Sequence, residues 1–302
     1  MAATDLELST TQEHRLKHTT FQKALPYLLV IPTFIVPLMI VGAFFLGVYY
    51  SFTDFDLRYD IRNYLGLGNY VRMALQDRSF WGTVWTTIKY SIMALTIQIP
   101  LGLAVSLALE RVGAFSRIGR TVMLAPLVIP PVIAALMWKI MMGPTQGILN
   151  YMLAFFGIPA VDWFGNPSVA LLSLVIIDVW IFTPFVILVL SAGLQSLPKT
   201  PYEAASVDGA SPLFTFRKLT LPMMKQFILI VLIFRALDTL RVFDTIYATT
   251  KGGPMKITTT LTIMGFENTF RWSKLGYGMA AMVVAWLLCF FVAKRLVQLL
   301  PK

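Results

Sequence analysis

Six segments of this chain, at about 25–50, 84–109, 121–141, 168–190, 226–249 and 277–299, are each twenty or more residues long and dominated by apolar side chains. A bilayer core about 30 Å thick takes roughly 20 helical residues to cross. In hydrocarbon, every backbone N–H and C=O must be paired within the protein, so segments of this length form helices. The fold class implied is all-α: a polytopic membrane protein with six transmembrane helices. Composition agrees. Of 302 residues, 57% are hydrophobic and 13% charged, where a soluble domain carries about 25% charged residues.

Several chemistries are excluded at once. Cys289 is the single cysteine and lies in an apolar run, so neither a disulfide framework nor a cysteine metal site exists. The two histidines, His14 and His18, sit in the polar N-terminal stretch and cannot hold a haem within the bilayer. The net charge of +10 is scattered through short loops. That distribution suits the positive-inside rule and not a nucleic-acid-binding stripe. No G-x-x-x-x-G-K-[ST] loop occurs, so the chain does not cradle a nucleotide in that manner.

Residues 1–23 read as a cytoplasmic arm, and 24–302 as one transmembrane domain. A signal peptide is not expected, because the first apolar run far exceeds an h-region of about 7–15 residues. Pro126, Pro130 and Pro131 interrupt the third run, and backbone groups freed there need partners from neighbouring helices. The loop after the first run contains Gly66-Leu67-Gly68-Asn69-Tyr70, and the loop after the fifth contains Lys251-Gly252-Gly253-Pro254.

Between the fourth and fifth runs, residues 195–222 carry helix punctuation. Thr200 can serve as N-cap, Pro201 suits the first helical position, and Glu203 completes a capping box. Gly209 offers a left-handed stop, and Ser211-Pro212 opens a second helix. The expectation is helix, sharp turn, helix, outside the membrane.

This stretch resembles the EAA loop of binding-protein-dependent ABC importer permeases. Glu203-Ala204-Ala205 is followed after three residues by Gly209, and after nine more by Leu219-x-Leu221-Pro222. That family usually has isoleucine where Leu219 stands. Trp180–Phe185 (W-I-F-T-P-F), Ala204–Ala210 (A-A-S-V-D-G-A) and Phe243-Asp244 with the later Gly-Gly-Pro turn look like the carbohydrate-uptake branch. The resemblance implies that Glu203, Ala204, Ala205, Asp208 and Gly209 form a cytoplasmic coupling loop docked on an ATPase. It further implies two ATPase subunits binding ATP with Mg, a second permease subunit that is a paralogue, and an extracytoplasmic solute-binding protein. The chain itself would be no enzyme, hold no cofactor, and import a sugar, oligosaccharide or polyol across a prokaryotic inner membrane.

Orientation is read from basic residues. With the 195–222 loop inside, the inner segments hold thirteen lysines and arginines and the outer loops eight. The bias puts both termini in the cytoplasm.

The fifth run carries Arg235, Asp238, Arg241 and Asp244, and the fourth carries Asp178. Ionisable residues at membrane depth tend to mark pathways. In a continuous helix, however, steps of three residues rotate the stripe by about 60° each, so Arg235 and Asp244 face apart. Two readings stand. Asp178, Trp180, Asp238, Arg241, Phe243 and Asp244 contact solute in the pathway; or the charges neutralise one another, with Arg241 shared between Asp238 and Asp244. Asp178 lacks a partner in its own run, and Arg235 or Arg241 is the candidate. The alternative function is a secondary transporter or channel driven by an ion gradient through Asp178 or Asp238.

Overall fold

The computed structural model describes residues 20–59, 62–111 and 115–300. Most of the N-terminal arm lies outside them, as does Lys302. The chain divides into two units, Met1–Tyr49 and Tyr50–Lys302. The described residues of the first belong to α1 (Thr20–Ser51), which runs as one helix through Pro32 and Pro37. In the second unit follow α2 (Gly68–Leu75), α3 (Phe80–Arg111), α4 (Phe115–Val128), α5 (Pro131–Met141), α6 (Ile148–Phe155) and α7 (Ala170–Gln195). Then come α8 (Thr200–Val207), α9 (Pro212–Thr215), α10 (Leu221–Leu240), α11 (Asp244–Thr249), α12 (Leu261–Phe266) and α13 (Leu275–Val297). Short π-helical turns, Phe216–Thr220 and Glu267–Arg271, join α9 to α10 and follow α12.

The second unit is built around the pairing of α3 with α7, with α10 packed against both. Close approach is permitted by glycine. A Cβ on Gly102 of α3 would lie 2.4 Å from a methyl of Val186 in α7, and one on Gly193 of α7 would lie 2.5 Å from the Phe227 ring of α10. Without a hydrophobic drive between helices in lipid, such small-residue contacts supply the packing.

Among the described residues, four helical segments are long and apolar enough to cross a membrane: Thr33–Ser51, Phe80–Glu110, Ala170–Gln195 and Leu275–Val297. Two of the six expected crossings depart from a plain helix. The third splits into α4 and α5, which meet at 97°. Pro130 and Pro131 are the cause: two missing N–H groups and two ring clashes cannot be absorbed as a kink. The fifth, expected over 226–249, ends as α10 at Leu240 and restarts as α11 at Asp244. The carbonyl of Val242, freed by the break, accepts hydrogen bonds from the hydroxyls of Thr262 at 2.6 Å and Thr260 at 3.4 Å.

The loop from Ser51 to Asp77 is anchored by the residues singled out in it. The Asn69 amide donates to the carbonyls of Ser51 and Thr53 at 2.9 and 2.7 Å, and the Tyr70 hydroxyl bonds that of Ser51 at 2.6 Å.

Candidate functional site

The 195–222 loop forms a helical hairpin, α8–turn–α9, continuing through the π-turn into α10. Its start differs from expectation. The N-cap is Lys199, Thr200 is already helical, and no side-chain cap bond forms there. The tight turn Ser196–Lys199 leaves α7 so directly that the helix begins one residue early, and Glu203 points to solvent without closing a capping box. The far end matches expectation. Gly209 adopts φ +69°, its N–H bonds the Ser206 carbonyl at 3.2 Å, and the Ala210 N–H bonds that of Ala205 at 2.9 Å. This is a Schellman closure. Ser211 then caps α9 by accepting from the Phe214 N–H. The Tyr202 hydroxyl donates to Thr220 at 3.1 Å, tying the hairpin's two limbs.

The hairpin presents apolar groups to the surface. Val207, Leu213 and Phe214 are exposed, and a groove of about 650 Å³ is lined by Tyr202, Ser206, Ala210 and Phe216 together with Leu107 of α3. Glu203 and Asp208 are exposed and make no ion pair among the described residues. The hairpin surface thus combines exposed apolar side chains with two exposed carboxylates, Glu203 and Asp208.

The intramembrane charges sort into two groups. Arg235 and Asp178 are buried, with side chains 1% and 2% exposed, and meet at 2.7 Å. Gln98 of α3 joins them: its amide donates to the Asp178 carboxylate at 2.7 Å, and its carbonyl accepts from Arg235 Nε at 3.0 Å. The guanidinium lies 4.1 Å from the centre of the Phe182 ring. Asp238 is 48% exposed and bridges Arg235 at 3.4 Å to Arg241 at 3.1 Å. The sharing is thus the reverse of the one read from sequence: a carboxylate serves two arginines. Because α10 ends at Leu240, Asp244 falls outside this ladder and stands in the first turn of α11, exposed.

Phe243 opens an aromatic run that sequence reasoning missed beyond its first member. Its ring stacks on Tyr247 at 5.1 Å, both rings touch Phe266 at 4.9 Å, and Phe266 touches Phe270 at 5.0 Å. Phe266 and Phe270 belong to a later segment, so no local spacing could have exposed the set. Trp180 is not part of it; its ring packs edge-on against Trp138 of α5 at 5.8 Å. Among the described residues no three His, Cys, Asp or Glu side chains gather as a metal site.

Helices of membrane-spanning length, one further apolar pair bent by 97°, and an exposed hairpin are features of a membrane protein that presents a surface outside the bilayer. The chain belongs to the family described as binding-protein-dependent transport system inner membrane component, whose model matches residues 98–302. It is therefore the membrane permease component of such an importer and not an enzyme. The trehalose/maltose transport system permease protein MalF of Thermococcus litoralis is 34% identical over 284 residues, 94% of each chain. The trehalose transport system permease protein SugA of Mycobacterium tuberculosis is 36% identical, covering 73% of this chain and 70% of its own. The sn-glycerol-3-phosphate permease UgpA of Escherichia coli is 32% identical, covering 86% and 88%. In fold, the chain matches a subunit of a bacterial ABC transporter importing the acidic polysaccharide alginate, with TM-score 0.78, 22% identity, and 93% and 98% of the two chains covered.

Proposed function

We propose that this chain is the permease subunit of an ATP-driven importer for a sugar, oligosaccharide or related polyol, delivered by an extracytoplasmic solute-binding protein. The observation that carries this is the hairpin: a Schellman-closed helix bearing Ala204 and Ala205, beside exposed Val207, Leu213 and Phe214. It is the docking surface for a cytoplasmic ATPase, of which two copies bind ATP with Mg, beneath this chain and a paralogous second permease. The names of the relatives, trehalose, maltose and glycerol phosphate permeases, support the carbohydrate class. Six crossings are made by α1, α3, the α4–α5 pair, α7, the α10–α11 pair and α13, with both termini in the cytoplasm.

In this reading Asp178 braces Arg235, while Asp238, Arg241, Phe243 and Asp244 line the pathway, near where α10 breaks. Broken helices at membrane depth are tolerated where they line a cavity. Trp180 shapes the neighbouring α5–α7 contact. The test is uptake in proteoliposomes by the complex purified through this chain. Trehalose or maltose uptake should require internal ATP and survive a proton ionophore. Uptake that persists without ATP and collapses with the ionophore would favour the gradient-driven alternative and overturn the proposal.

A further inference from the structure

At the end of the bundle opposite the hairpin lies a recessed pocket of about 320 Å³. The residues at 77–83, 251–259 and 264–272 wall it. Helix α3 fixes the two ends. Thr83 near its start lines the pocket, and Leu107 near its finish lines the hairpin groove, a separation of about 36 Å at 1.5 Å per residue.

The acidic groups of the wall are already engaged. Asp77 accepts from the Ser79 N–H and hydroxyl at 2.9 and 2.7 Å and from the Tyr277 hydroxyl at 2.7 Å. Glu267 pairs with Arg271 at 3.1 Å. Burial raises the Asp77 pKa, but these hydrogen bonds and the nearby Lys256 outweigh it, so the carboxyl titrates below its ordinary value. Lys251 and Lys256 are exposed and have no carboxylate within ion-pair distance among the described residues, although Lys256 is near enough to Asp77 to favour its ionised form.

Both lysines also sit in left-handed backbone, at φ +52° and +65°. Such conformations in non-glycine residues persist only where surrounding contacts hold them, and they gather at binding sites. The contacts here are threonine hydroxyls: Thr258 donates to the Gly253 carbonyl at 2.6 Å and Thr259 to that of Gly252 at 3.0 Å. The facing wall is the π-turn Glu267–Arg271, a distortion frequent at functional sites. Trp272, 55% exposed, lines the pocket with the Arg271 guanidinium over one side of its ring at 5.6 Å, and the Asn268 side chain donates to the Met264 carbonyl at 2.8 Å while its Oδ1 accepts no hydrogen bond among the described residues.

We propose that this pocket binds a hexose-sized sugar acid. Lys251 and Lys256 receive the carboxylate, Trp272 offers an aromatic face to the ring's C–H surface, and Asn268 accepts from a hydroxyl. The proposal rests on the importer reading only for its placement on the outer face, where it would hold an acidic saccharide ahead of the pathway.

The experiment is saturation-transfer NMR of glucuronate and of glucose with the complete transporter complex in nanodiscs. Glucuronate should give saturation transfer and glucose at least tenfold less. Replacing both lysines by asparagine, which tolerates left-handed backbone, should weaken glucuronate binding about tenfold per lost charge-assisted contact. Lys251→Arg with Lys256→Arg should retain it, which separates charge from folding, and Trp272→Phe should reduce it less. Equal signals from both sugars, no glucuronate signal, or a signal unchanged in the asparagine variant overturns the proposal. Absence of free glucuronate binding, with ATP-dependent uptake blocked by the asparagine variant, assigns the lysines instead to docking an acidic side chain of the binding protein and likewise overturns it. Nanodiscs expose both faces, so this result is independent of which side the hairpin occupies.

Discussion

Arg235 is the residue on which the interior of the bundle turns. Its guanidinium is shared by Asp178 of α7, Gln98 of α3 and Asp238 of its own helix, at 2.7, 3.0 and 3.4 Å, so one side chain clamps three helices. Breaking a buried ion pair by removing one partner costs about 3–5 kcal/mol, because the remaining charge stays buried and unpaired. Asp178→Asn should therefore lower the thermal stability and yield of the purified complex sharply. Asp238→Asn, at a half-exposed site, should cost under about 1 kcal/mol and show its effect in uptake instead. Pairing Asp178→Asn with Arg235→Met should recover part of the lost stability, since apolar replacement of a buried pair is often neutral. Equal melting temperatures for the two single asparagine variants would remove the distinction between brace and pathway. The sequence exposes the presence of these charges, but not their sorting. That depends on α7 and α3 converging where Gly102 lets them, a fact of tertiary packing.

Among elements, the hairpin was the most legible, because its signals are local. Gly209, Ser211 and Pro212 act within a few residues of themselves. The start of α8 falls one residue before the position its sequence signals give, since it is set by how the chain leaves α7 after Gln195 and not by the hydroxyl of Thr200. The α4–α5 bend was half legible from its prolines. The α10–α11 break was not, since the threonines that satisfy Val242 lie about twenty positions later in sequence. The hairpin also carries a test of coupling. At φ +69° a Cβ on Gly209 would meet nothing within 4 Å, so substitution there costs backbone strain alone, about 1–2 kcal/mol. Gly209→Val should open the Schellman turn and re-aim α9 while leaving the bundle intact. Membrane insertion and yield should match the parent, and ATP-dependent uptake should fall at least several-fold. Gly209→Asn, which tolerates the left-handed region, should fall less. Parental uptake in the valine variant would remove the turn from the coupling argument.

For the molecule as a whole, the deciding quantity is which end faces the cytoplasm. The count of basic residues favours the hairpin inside, thirteen against eight, and transfer of an ATP-driven motion requires the same. Geometry supplies two reporters. Ser206 is exposed on α8 just beyond the C-terminal end of α7, and Gln146 is exposed in the turn between α5 and α6. Cys289 is the single native thiol and is buried in α13, so Cys289→Ala gives a clean background with one small side chain exchanged. In that background, Ser206→Cys should react with a membrane-impermeant maleimide only in inside-out vesicles, and Gln146→Cys only in right-side-out vesicles. ATPase docked on the hairpin would shield Ser206, so labelling with the permease alone must exceed labelling with the complex; that protection is itself evidence for the docking surface. Reactivity of Ser206→Cys from the outside would place the hairpin beyond the reach of any cytoplasmic motor. The docking role of the hairpin would then fall, while the pocket around Lys251 and Lys256 would keep its chemistry and change its compartment.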